Sequence, residues 1–179
     1  NITISGPIGS GTTTLGRALA EKLRWKFVEG GEVFANMHKD LGLGEEEVAK
    51  RPDERDIEFD KKMQTMLSQQ EHQVIESHLA GFNAKEISGV FKIRLVCEEN
   101  GADRQDIRIA RIAKRDGLSF AQAEKKHLER QKGNIEKYRR VYGINPYIDS
   151  SLYDVTINTF DNDEQAVVQK ALDAIGLST

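Results

Sequence analysis

Short apolar runs alternate along this chain with longer stretches whose apolar positions recur every three or four residues. Residues 1–5 (NITIS), 26–29 (KFVE), 73–77 (QVIES), 90–97 (VFKIRLVC) and 152–159 (LYDVTINT) have the length and the β-branched and aromatic content of short, largely buried strands. The intervening stretches follow the helical period. Residues 13–23 place Leu15, Ala18, Leu19 and Leu23 on one face, and GGEVFANMHKDLG passes through a turn into a helix that stops near Gly42. After the acidic stretch 44–60 and Pro52, the spacing of Phe59, Met63, Met66 and Leu67 predicts another helix. Residues 104–115, 120–142 and 164–175 predict three more, the second broken by Gly143, Asn145 and Pro146. Strands separated by helices predict an α/β fold: a doubly wound, five-stranded parallel sheet with right-handed crossovers, whose ligands bind beyond the carboxyl ends of the strands.

The segment that leaves the first strand is GPIGSGTTT, residues 6–14. Gly6, Gly9 and Gly11 have the spacing of a loop whose backbone N–H groups turn inward onto phosphate oxygens. The helix that follows presents its positive end, and a hydroxyl, here Thr13, is placed to hold Mg²⁺. Ser10, Thr12 and Thr14 complete the loop, and Thr12 stands where the pattern calls for lysine.

Composition narrows the partners. A chain of 179 residues, 38% hydrophobic, fits a single domain and is too apolar for a disordered one. No apolar run approaches a membrane span, and the opening NITIS carries no export signal, so a soluble cytoplasmic protein, monomer or weak homodimer, is the expectation. Cys97, the single cysteine, excludes an internal disulfide and reads as a small packed apolar group. The net charge of −3 hides a basic segment: residues 104–140 hold 12 Lys or Arg against 5 Asp or Glu, a local +7. In an otherwise acidic chain that segment suits a small polyanion better than a long nucleic acid. Within it, Arg104, Arg108, Arg111 and Arg115 read as a basic stripe opposite Ile107, Ala110 and Ile112, and Arg130, Lys132, Lys137, Arg139 and Arg140 form a second cluster. His38, His72 and His127 lack the spacing of a metal cage and read as surface or packing residues. Asp53, Asp56 and Asp60 share a helix face, Tyr138 and Tyr142 share another that packs, and Trp25 belongs to the core.

Taken together, ITISGPIGSGTTTLGRALAEKL, VEGGEVFANMHKDLG, VIESHLAGF, FKIRLVC with RIARIAKRDG, and ERQKGNIEKYRRVYGIN before SSLYDVTINT resemble the nucleoside monophosphate kinases, most closely the short archaeal type of cytidylate kinase. The resemblance implies transfer of the γ-phosphoryl of ATP, with Mg²⁺, to CMP or a similar nucleotide. It implies an acceptor-binding region over about 31–72 and a mobile basic lid over about 116–147. It places Gly6, Gly9, Ser10, Gly11, Thr12, Thr13, Thr14 and Arg111 around ATP, Arg130, Lys137 and Arg139 on the transferred phosphoryl, and Asp56, Asp60 and His78 on the acceptor. The chain departs from the family at four positions: Thr12 for lysine, Ala35 for an acceptor-phosphate arginine, Ser77-His78 for Gly-Arg, and Lys137 for a lid arginine. A protonated His78 would restore one of those charges, but an unperturbed imidazole is mostly neutral at physiological pH, so His78 reads as a weak phosphate ligand at best. A nucleotide-binding protein of little turnover, a P-loop kinase with a non-nucleotide acceptor and nucleic-acid binding through the basic segment stay open as alternatives.

Overall fold

A computed structural model describes residues 1–44, 47–145 and 149–177. Pro146, expected to help end the long helix, and part of the acidic stretch 44–60 lie outside the described residues. The chain runs β1 (Ile2–Ser5), α1 (Thr12–Leu23), β2 (Lys26–Glu29), α2 (Gly30–Asp40), a 3₁₀ turn (Val48–Lys50) and α3 (Asp53–Gln69). It continues with β3 (Gln73–Glu76), α4 (Ala80–Asn83), β4 (Phe91–Val96), a hairpin of β5 (Glu98–Glu99) and β6 (Ala102–Asp103), and α5 (Gln105–Asp116). Last come α6 (Phe120–Tyr142), a 3₁₀ turn (Ser150–Leu152), β7 (Val155–Asn158) and α7 (Glu164–Ile175).

The five expected strands form one parallel sheet in the order β2-β3-β1-β4-β7. Because successive side chains alternate across a strand, β3 sends Val74 to one face and Ile75 to the other. Val74 joins Ile2, Ile4, Leu95 and Leu19 under α1 and α7, while Ile75 joins Phe59, Met63 and Leu67 of α3. A third, separate cluster unites Ile109 and Ile112 of α5 with Ala123 of α6, and Ile8 of the glycine loop packs against it. The loop is therefore wedged between the main core and the helices expected to form the lid. Trp25 is only partly buried at the edge of the first cluster, and Cys97 is buried.

The hairpin was not expected. Its register, Glu99 opposite Ala102, leaves Asn100 and Gly101 as a two-residue turn, both at positive φ (52° and 80°), a conformation that Asn-Gly adopts readily. The apolar face of α5 also differs from the sequence expectation. Ile109, Ile112 and Ala113 point inward, Ala110 is exposed, and Arg108 is buried. Ile109 and Ile112 with Ala113 have the i, i+3, i+4 spacing that packs; a buried arginine is tolerated beside them because each of its three nitrogens has a hydrogen-bond partner.

Candidate active site

β1 delivers the chain to Gly6 at the carboxyl edge of the sheet. The loop then turns on itself, with the Ser10 N–H donating to the Pro7 carbonyl at 3.1 Å and Gly9 and Gly11 in the left-handed region at φ 82° and 93°. Space as well as torsion requires glycine at two positions. A Cβ on Gly6 would sit 2.6 Å from Ser10 Oγ and 2.7 Å from the Leu95 carbonyl oxygen, and one on Gly9 would sit 2.7 Å from the Arg108 carbonyl oxygen. Beside Gly11, by contrast, nothing among the described residues would lie within 4 Å of a Cβ. Gly11 is the N-cap of α1; no side chain caps that end and no acidic residue lies in its first turn. Thr12 and Thr13 are half-buried there and Thr14 is exposed. The outcome is an open helix terminus whose amides and dipole favour an anion. Ser10 is fully buried, and its Oγ has no hydrogen-bond partner among the described residues.

The arginines of α5 clamp this loop from behind. Arg108 grips Asp103 of β6 with Nε and Nη2 at 3.0 and 2.6 Å, and Nη1 donates to the Ile8 carbonyl at 2.6 Å. The unexpected hairpin thus supplies the carboxylate that makes a buried arginine tolerable. Arg111 donates to Thr159 O and Oγ1 at 2.8 and 3.0 Å and reaches the Gly9 carbonyl at 3.5 Å. Arg104 pairs with Glu99 and Asp106, and Arg115 with Asp116. The stripe is therefore not a free cationic face: Arg108 holds the loop to β6, Arg111 holds it to residue 159 just beyond β7, and the other two make surface pairs.

The loop meets a second feature along residues 76–78. Thr12 Oγ1 donates to Glu76 Oε1 at 2.9 Å. Glu76 ends β3, lies opposite Glu29 in register and is buried. Burial pushes its carboxyl up to about 7, the Thr12 bond opposes this, and the neighbouring Glu29 adds to it. Sequence reading passed over Glu76; a carboxylate closing a buried strand at the ligand edge was the available signal. Two residues on, His78 lines a cavity together with Phe34, Ala35, Arg51, Arg130 and Asn134. Burial, followed by the charge of Arg130, pulls His78 down to about 3, and its contact with the backbone of Gly6 does not reverse that. That holds the imidazole in its neutral form, which has no charge to offer a phosphate.

The expected acceptor carboxylates are already engaged. Asp56 takes Arg51 Nη2 and Nε at 2.5 and 3.0 Å and Lys137 Nζ at 2.8 Å, all buried. Lys137 also donates to the Arg51 carbonyl at 2.5 Å. Asp60 accepts from Asn83 at 2.7 Å and from the Tyr142 hydroxyl. Arg140 pairs with Asp53, and Gly133 lets α6 approach Val48 so closely that a Cβ there would lie 3.2 Å away. Lys137, read as a lid cation, is instead turned inward, because 123, 127, 134 and 138 form the buried face of α6 and 137 lies beside it. Arg139 is exposed and Arg130 half-buried on the cavity. Residues 130 and 78 are thus brought together with the glycine loop, whereas Asp56, Asp60 and Lys137 knit α3 to α6. Among the described residues no group of three or more His, Cys, Asp or Glu has metal-binding geometry, and no helix is long and apolar enough to cross a membrane.

Solved structures with this arrangement include a gluconokinase from Sinorhizobium meliloti (TM-score 0.62, 14% identity, covering 98% of this chain and 91% of that one) and a shikimate kinase from Acinetobacter baumannii (TM-score 0.58, 19% identity, 98% and 92%). Identities this low establish the fold alone. Sequence relatives carry more. The chain is 33% identical over 177 residues to the cytidylate kinase of Haloarcula marismortui, covering 97% of this chain and 88% of that protein. It is 36% identical over 178 residues to the cytidylate kinase of Pyrococcus horikoshii, covering 96% and 88%. Residues 1–161 match the family described as the cytidylate kinase-like family. With nearly the whole chain aligned and the glycine loop, strand order and basic α5–α6 pair in their places, the chain belongs to the cytidylate kinase-like family.

Proposed function

We propose that this chain transfers the γ-phosphoryl group of ATP to the phosphate of CMP or a closely similar nucleoside monophosphate. One observation carries the reading: an open, uncapped helix terminus and a separate arginine-walled cavity share the wall formed by residues 76–78. A transferase needs that adjacency, since donor and acceptor phosphates must be held in line a few ångströms apart. The triphosphate would lie on the amides of Gly9, Gly11, Thr12 and Thr13, and the acceptor in the cavity between α2 and α6. In this reading residues 31–72 form the acceptor region and 116–147 the lid, with Arg130 and Arg139 serving the transferred group.

The donors present suit Mg²⁺. The Thr13 hydroxyl at the start of α1 is a hard oxygen ligand, too little to cage the ion alone and therefore compatible with an ion shared with substrate phosphates. Bound there, Mg²⁺ would neutralise charge between the β- and γ-phosphates. Proton abstraction is not required, because an acceptor phosphate is ionised near neutral pH. An acceptor oxygen forms the new bond to the γ-phosphorus as the bridging bond to ADP breaks, and the arginine side chains offset the charge on the equatorial oxygens. Thr12 offers no charge, so the loop depends on amides and on arginines arriving from α6.

Coupled measurement of ADP release with CMP, UMP, AMP and dCMP tests the proposal. Turnover with CMP at ordinary kinase rates, about 1 to 100 per second, is expected. ATP binding without turnover on any monophosphate would replace it with a nucleotide-binding role or a non-nucleotide acceptor.

A further inference from the structure

Ala35 leaves the wall of the acceptor cavity without a charge from α2, yet the cavity is not short of cations. Arg51, 4% exposed, follows the 3₁₀ turn Val48–Lys50 and lines the same cavity as Ala35, His78 and Arg130. Its guanidinium is fixed on several sides. Asp56 holds Nε and Nη2, the Phe34 ring lies 4.3 Å from the guanidinium carbon, and Nη1 donates to His38 Nε2 at 2.6 Å. Arginine can only donate, so His38 Nε2 must accept, and His38 Nδ1 carries the hydrogen and donates to the Gly44 carbonyl at 2.7 Å. Among the described residues these bonds use three of the five N–H donors of Arg51. One donor remains on each Nη.

Arg51 does not have its carboxylate to itself. Asp56 serves both Arg51 and Lys137, two cations on one carboxylate, all three nearly fully buried. Asp53 lies 3.5 Å from Lys137 but forms its close pair with Arg140 at the surface. A second observation points into the same space: Asn134, 3% exposed, lines the cavity, and its amide nitrogen has no hydrogen-bond partner among the described residues. An unpartnered buried donor calls for an acceptor atom.

We propose that Arg51 is the acceptor-phosphate residue of this chain: its two remaining N–H groups, with Arg130 and the Asn134 amide on the same cavity, hold the phosphomonoester of the acceptor, so that a charge fixed after the 3₁₀ turn does what Ala35 cannot. Lys137 is then a positioning residue, sharing Asp56 so that the carboxylate does not neutralise Arg51 completely. The assignment rests on the monophosphate reading of the cavity.

The test measures binding of CMP and of ATP separately, by calorimetry, alongside steady-state KM values. Arg51→Met leaves Asp56 paired with Lys137, so no charge is stranded. It is expected to weaken CMP binding and raise the CMP KM on the order of tenfold to a hundredfold, the loss of a charge-assisted contact, with ATP binding changed less than about twofold. Arg51→Lys keeps the charge but not the fork and falls between. Adding Ala35→Arg to Arg51→Met, which returns a guanidinium to the same cavity wall, is expected to recover much of the CMP affinity. CMP binding and KM left unchanged in Arg51→Met, or CMP and ATP weakened equally together with lower thermal stability, would overturn the assignment and leave Arg51 a structural residue. Wild-type protein that binds ATP but no CMP would instead remove the monophosphate reading beneath it.

Discussion

Glu76 makes the fold pH-sensitive in a direction opposite to most carboxylates. Its carboxyl is raised from 4.5 to about 7, chiefly by burial and with Glu29 adding to it, although Thr12 donates to it. The folded protein therefore keeps a proton that the unfolded chain has released. Its contribution to stability is complete below about pH 4.5, is lost as pH climbs through the interval to 7, and is level beyond. The separation is worth about 3 kcal/mol, a large fraction of the stability of a domain this size. Glu76→Gln keeps an oxygen for Thr12 and cannot ionise. Urea unfolding of both proteins at matched ionic strength between about pH 5 and 8 should show the variant gaining on the wild type as pH rises, by about 3 kcal/mol at the alkaline end. Curves that run parallel across that range would show that Glu76 titrates as an ordinary exposed carboxylate, and the picture of a dry wall beneath the loop would fail.

Two further predictions concern the loop. Gly9→Ala combines a positive φ with a Cβ 2.7 Å from a backbone oxygen, whereas Gly11→Ala meets an open space and bears only the torsional strain of about 1–2 kcal/mol, so thermal unfolding should rank Gly9→Ala well below Gly11→Ala. Both should lose triphosphate affinity by calorimetry, Gly11→Ala because its methyl enters the space left for the ligand. Arg108→Met removes the donor to the Ile8 carbonyl while leaving Asp103 able to reach solvent; a loss of about 2–4 kcal/mol in urea unfolding and a raised KM for ATP are expected, and an unchanged ATP KM would show that the clamp does not shape the loop.

Local patterns carried much of this protein. The five strands were legible because each is a brief apolar run bounded by turn residues, and the glycine loop because its torsions and close approaches demand glycine at fixed spacing. The basic segment misled where burial decides: Arg108 and Lys137 belong to helices rich in charge, and a linear pattern counts them as solvated. Asn-Gly at 100–101 was a local hairpin signal that went unused between strands of only two residues, and nothing local said that Asp103 would meet Arg108. His78 has an ordinary composition around it, and only its packing, with Arg130 nearby, pushes its titration far below the usual range.

The sequence by itself determined the α/β class, the glycine loop and the excess of cations over residues 104–140, because strand length, helical period and the conformational freedom of glycine are properties of a few adjacent residues. Only the tertiary structure decided which cations face the cavity, which carboxylates are already paired and where Glu76 and Arg51 stand. Those are matters of distance and burial between segments as remote as positions 51 and 137, and Coulomb energy and desolvation depend on the folded separation rather than on position along the chain.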